Sequence, residues 1–443
     1  MLFCLRAGLS GGGEALLVAG FGYPATAIDA PQTLIVVHIV AIGWMSLLLC
    51  GALFQFVPVL VARPLWGGAL ARPALLALVS GLLLLAGFAG MDGLLPVPLA
   101  VLPMGAELLL LGFGAVIVAL AGTLWTARPW GAPARFVAVG LAALTGTILL
   151  GNCFALASAG LVGDDAALAL LLHGVPLHAL LGLGGWLSFT AMGVSYRLLA
   201  MFMLAPDTEQ RSTRIVLAAD ALALVLVAAT IPLAVAASGG IGAILLAAAL
   251  AGLVALLVYG HDVLTLYRKR KRRHIELNAR AAIGAFAALA LAAVLLFALL
   301  GLGQLQVGVG ALTYLVVFGW LGGLGLAKLH ETVPFLTWLG CFAPVLGKCP
   351  IPRVQDLVDE LHATLWFYAY YGAVGLGTLM LLVGWAELFR LCAAVQLIAT
   401  LGIARHFYRA RELHNVPPLL RDGFTARIRF CLARPPGKRH DRS

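Results

Sequence analysis

Two histidines and five charged residues sit where a chain can least tolerate polar groups, inside long apolar stretches. His38 lies seven residues beyond Pro31 in a run with no other ionisable group, and His178 lies two residues beyond Pro176. An imidazole placed in hydrocarbon without a partner costs several kcal/mol. Two neutral imidazoles have a chemical use there, because their nitrogens are common ligands for iron and copper. His38 and His178 are therefore candidates to clamp one haem or metal, against the plainer reading of hydrogen-bonded packing histidines. His173, five positions before His178, reads equally as an outer-surface ligand or as an interfacial histidine. The charges are Glu107, Arg197, Asp220, Lys328 and Glu331. An ionisable group at membrane depth is a functional-site candidate by default.

The elements that hold these residues follow from composition. The chain has 443 residues, 62% hydrophobic and 11% charged, with a mean hydropathy of +1.02. Soluble chains carry about 25% charged residues, so an all-α polytopic membrane protein is expected. A helix crossing the hydrocarbon core needs about 20 mainly apolar residues. That rule yields eleven spans, near residues 33–61, 73–91, 96–123, 135–159, 176–202, 215–236, 239–266, 280–302, 306–336, 363–383 and 386–405. The segment 14–28, short and rich in Gly and Pro, reads as a degraded or re-entrant twelfth, and no signal peptide is expected. The seven cysteines are scattered singly, without the CxxC pairs of a zinc site, a redox pair or covalent haem attachment.

Charge sets the orientation. Loops bearing Arg63 and Arg72, Arg128 and Arg135, Arg211 and Arg214, the run from Arg268 to Arg273, and Lys348 with Arg353 alternate with uncharged or acidic ones. Positively charged loops stay cytoplasmic, so the odd-numbered spans run inward and the basic tail, residues 406–443, is cytoplasmic. The formal net charge of +10 is thus topology and contact with the lipid bilayer, and no nucleic-acid partner is expected.

A pattern recurs three times. Gly43-Trp44 leads to Gly51, Phe54 and Gln55; Gly185-Trp186 leads to Gly193, Tyr196 and Arg197; Gly319-Trp320 leads to Ala327, His330 and Glu331. Each motif opens a set of about four spans, giving three pseudo-symmetric four-helix blocks near residues 10–160, 170–302 and 305–405 within one transmembrane domain, 1–405. The matched positions of Arg197 and Glu331 suggest an ion pair between helices.

Helix number, threefold repetition and the placement of His38 and His178 on the first two marked helices resemble subunit I of the haem-copper oxidases and the related NnrS-type membrane haem proteins. The resemblance covers about residues 32–405. It implies a haem cofactor, or less readily copper, held near the outer ends of the marked helices, a redox or nitric-oxide-related activity, a redox partner, and a bacterial-type inner (plasma) membrane. The chain also departs from that family. Residues 215–236 contain no histidine, and the position on the third marked helix that corresponds to His38 is Tyr314. A complete oxygen-reducing centre, as that family builds it, is not expected. Tyr314 is expected to bond between helices instead. The alternatives are a proton-coupled secondary transporter using Glu107, Asp220, Arg197 and Glu331, or a cofactor-free structural protein.

The orientation is testable. Reporter fusions after the 268–273 run and within the C-terminal tail should report cytoplasm, and a fusion in the loop near Ser238 should report the outside.

Overall fold

A computed structural model of the protein describes residues 11–417 apart from 92, 164, 207–209, 236–239 and 348–349, together with residue 420. The described chain is helical, and eleven helices are long and apolar enough to cross a membrane. The chain is an all-α polytopic membrane protein. A short stretch over residues 11–18 (α1) is helical. After it come Pro31–Val61 (α2), Gly68–Met91 (α3), Val101–Trp125 (α4), Ala132–Ser158 (α5), Ala167–Met203 (α6), Arg211–Leu233 (α7), Ile241–Arg268 (α8), Leu277–Gly301 (α9), Leu305–Cys341 (α10), Glu360–Val383 (α11) and Ala386–Arg411 (α12).

The three marked helices share a feature that the sequence pattern only hinted at. Each changes from α- to π-helical geometry around its Gly-Trp pair, over Ile39–Ser46 in α2, Leu180–Phe189 in α6 and Leu315–Gly322 in α10. A π segment widens the turn and shifts the phase of every side chain after it, and such segments gather at functional sites. Here the three segments meet one another, and their tryptophans are buried where they meet.

The contacts run in a cycle. Trp186 Nε1 donates to Ser46 Oγ at 3.1 Å, and Trp320 Nε1 donates to Ser188 Oγ at 3.2 Å. Ser46 and Ser188 each lie two residues after the tryptophan of their own motif, and the third such position is Gly322. Trp44 fills that seat with its ring. A Cβ on Gly322 would come within 2.8 Å of both Trp44 Cη2 and the Tyr370 hydroxyl. Tyr370 is fixed in turn by donating to the Phe318 carbonyl at 2.8 Å. Because lipid tails are as apolar as leucine, burial alone does not bind helices together in a bilayer, and close packing with directed hydrogen bonds does.

Both ends of the chain fold back onto this bundle. Gly13 of α1 abuts Val40 of α2, and Arg390 Nε of α12 donates to the Val18 carbonyl at 3.0 Å. At its C-terminal end α12 continues to Arg411, beyond the expected limit of 405, and Ala410, Leu413 and Val416 form a small core with Phe342 and Leu357. The first part of the expected tail is therefore folded, because Ala410, Leu413 and Val416 pack on Phe342 and Leu357. The rest of the tail, from residue 421, lies outside the described residues. In that connection, the Arg353 backbone N–H and guanidinium hold the Asp356 carboxyl below the usual range.

Gly322→Ser should lower thermal stability by about 1–3 kcal/mol through overpacking against Trp44 and Tyr370. Ser46→Ala, which removes one indole partner, should cost about 1 kcal/mol. A melting series on detergent-solubilised protein checks the order.

Candidate functional site

The histidines predicted to act together do meet. The rings of His38 and His178 have centroids 6.4 Å apart and planes inclined at 35°. Each sits on the last α turns before its helix becomes π-helical: His38 directly precedes Ile39, and His178 stands two residues before Leu180. The offset of His38 and His178 against their Gly-Trp pairs, five and seven positions, predicts roughly a 3 Å difference in depth at about 1.5 Å rise per residue. The two rings nonetheless lie side by side.

Hydrogen bonds fix both rings. His38 Nδ1 lies 2.7 Å from the Leu34 carbonyl in its own helix, and His178 Nδ1 lies 3.0 Å from the Thr147 carbonyl of α5. A carbonyl only accepts, so Nδ1 carries the hydrogen in each ring and Nε2 carries the lone pair. Phe88 flanks His38 at 5.4 Å between centroids, and Phe154 flanks His178 at 5.7 Å. Gly151 makes room for the second imidazole, since a Cβ there would stand 3.1 Å from His178 Cε1. His173 is exposed, and among the described residues no third His, Cys, Asp or Glu converges with the pair as a ligand set.

The intramembrane charges Glu107 and Glu331 are held by different partners. Glu107 accepts from Asn152 Nδ2 of α5 at 3.0 Å and is exposed on α4. Asp220 is half-buried on α7. Arg197 is exposed on α6, whereas Glu331 takes its ion pair from Lys328, at 3.8 Å one turn earlier on its own helix. The expected bridge from Arg197 to Glu331 thus gives way to an i,i+3 pair, which needs no reach between helices. Lys328 Nζ also stands over the Phe202 ring at 5.8 Å.

Tyr314 does bond between helices, donating to Gln396 of α12. His406, the first residue of the expected basic tail, is buried, and His330 packs edge-on to Phe367 and Phe407. The folded end of α12 explains the difference, because it carries His406 into the bundle. Two buried acids escaped the sequence reading. Asp262 of α8 accepts from the Tyr196 hydroxyl at 2.9 Å, and Glu14 of α1 is fully buried. Each stood in an apolar stretch as a lone carboxylate, the same signal that marked Glu107, but near the end of a span or in a segment too short to count.

Compared with known proteins, no family model matches the chain and no curated protein is similar to it.

Breaking the buried ion pair tests how the charges are held. Lys328→Met should destabilise by about 3–5 kcal/mol, because it strands Glu331, while Lys328→Met with Glu331→Leu should recover most of that loss. Unfolding midpoints of the single and double variants give the comparison.

Proposed function

We propose that this chain is a haem- or metal-binding integral membrane protein in which His38 and His178 supply the ligands. The observation that carries the reading is the matched hydrogen bonding of the two rings, each through Nδ1 to a backbone carbonyl. Both Nδ1 atoms are committed to carbonyls, and both Nε2 lone pairs remain for a metal. Second-shell bonds of this kind orient imidazole ligands and raise their basicity. The spacing fits as well. Two imidazole nitrogens each about 2 Å from a shared metal place their ring centres roughly 6 Å apart, and the observed separation is 6.4 Å.

Haem suits this donor set better than copper. His38 and His178 would be the two residues to hold it, and Phe88 and Phe154 give the pair apolar flanks. When bound, the group supplies one-electron redox chemistry. The chain's part is to hold two imidazoles in register, keep each Nδ1 protonated and surround the pair with apolar rings. The resemblance to the haem-copper oxidases and NnrS-type proteins implies a redox or nitric-oxide-related role in a bacterial-type inner membrane, with a redox partner, and the absence of histidine from residues 215–236 removes the oxygen-reducing centre as that family builds it. The different partners of Glu107 and Glu331 do not favour a proton-coupled transporter built on Glu107, Arg197, Asp220 and Glu331.

Protein purified from its native membrane should show a Soret band. His38→Ala and His178→Ala should each abolish it, and His173→Ala should leave it intact. A colourless protein free of iron and copper would overturn the reading.

A further inference from the structure

The acid that the sequence reading passed over has the most demanding surroundings in the molecule. Glu14 is 0% exposed. Its Oε1 accepts from Gln396 Nε2 at 2.9 Å and from Thr400 Oγ1 at 3.0 Å, both on α12. Its Oε2 is buried without a hydrogen-bond partner. The Gln396 carbonyl is occupied by the Tyr314 hydroxyl from α10, so the donors run one way, from tyrosine to glutamine to the acid.

Among the described residues no cation answers this carboxyl. The titratable groups that bear on it or on its tyrosine neighbour are Tyr314, Tyr370 and Cys392, none of which carries positive charge. Along α12, Arg405 is exposed five residues beyond Thr400, and on the other side the nearest arginine is Arg390, six residues from Gln396 and so roughly 9 Å along the helix. It is committed to the Val18 carbonyl and to Glu387. A bare carboxylate oxygen in a low-dielectric interior costs far more than the two neutral hydrogen bonds return. Something must neutralise it, and it must sit at Oε2.

We infer that Glu14, Gln396, Thr400 and Tyr314 form a buried monovalent-cation site, in which Glu14 Oε2 holds a proton or a sodium ion. Within this hydrogen-bonded set the side-chain atoms that keep lone pairs are all oxygens: the Glu14 carboxyl, the Thr400 hydroxyl, the Gln396 carbonyl and the Tyr314 hydroxyl. An all-oxygen set selects hard cations over soft or nitrogen-seeking metals. A proton satisfies Oε2 by making the group a neutral acid whose carbonyl oxygen, Oε1, keeps both donors. A sodium ion would satisfy it by lying against Oε2 as the counter-charge. Because three helices contribute, occupancy of the site also seats α1 against α10 and α12. The inference stands apart from the haem reading and shares no residue with it.

Infrared spectroscopy of the full chain in lipid, with Glu14→Gln as the reference, tests the site. A protonated-carboxyl band present in wild type and absent from the variant should persist at pH values where water-exposed carboxyls are fully ionised. If the band is indifferent to exchange of potassium for sodium, the site holds a proton; if sodium removes it at constant pH, the site accepts sodium as well. Thr400→Val, which deletes one donor to Oε1, should raise the band frequency, and it provides the assignment if Glu14→Gln fails to fold. A band that is missing in both salts, that disappears together with the exposed carboxyls, or that ignores Thr400→Val overturns the proposal.

Discussion

Three indole rings meet where the marked helices cross, and the rest of the bundle is arranged about that meeting. Trp186 and Trp320 each hand a hydrogen to a serine of the neighbouring repeat, while Trp44 lies against Gly322. A bilayer offers helices no hydrophobic reward for association and no water for stray polar groups. An indole N–H at that depth therefore needs a protein acceptor, and the repeat supplies it two residues after each tryptophan in two cases of three. The π-helical turns make this geometry available, since each shifts the phase of its helix at the Gly-Trp pair.

The same phase shift serves the histidine pair. His38 and His178 stand at the α side of their π segments, so the turn that aims each tryptophan toward the axis also sets where the preceding histidine points. Tyr314 occupies the corresponding place before the third π segment, and its hydroxyl is drawn toward Gln396 and Glu14. One local device, used three times, thus presents two imidazoles on one side of the axis and a phenol on another. The polar interior of the molecule divides into a nitrogen-rich site and an oxygen-rich one.

Much of this was legible from residue types alone. Hydropathy located all eleven spans, and the Gly-Trp alignment picked out the three helices that turn π-helical. The pairing of His38 with His178 followed from their common orientation on pseudo-equivalent helices. The rest depended on directions that a linear sequence does not carry. Side-chain reach decides that Glu331 pairs with Lys328 and not with Arg197. Glu14 escaped because α1 is too short to register as a span, and its partners Gln396 and Thr400 lie more than 380 positions away. The basic tail opens at His406 by its charge, but Ala410 and Leu413 draw the end of α12 into a core.

The glycine at position 322 has a consequence for how the chain is built in the membrane. Helices enter the bilayer in order, and Trp44 arrives with the first long one, whereas its seat arrives on α10. Trp186 finds Ser46 already in place, and Trp320 finds Ser188 already in place. The first ring thus waits for the ninth long helix, and the contact that closes the cycle is the one made by shape and not by a directed bond. A seam without a hydroxyl tolerates late arrival, because a flat ring can slide into a glycine notch without first surrendering a hydrogen bond made elsewhere.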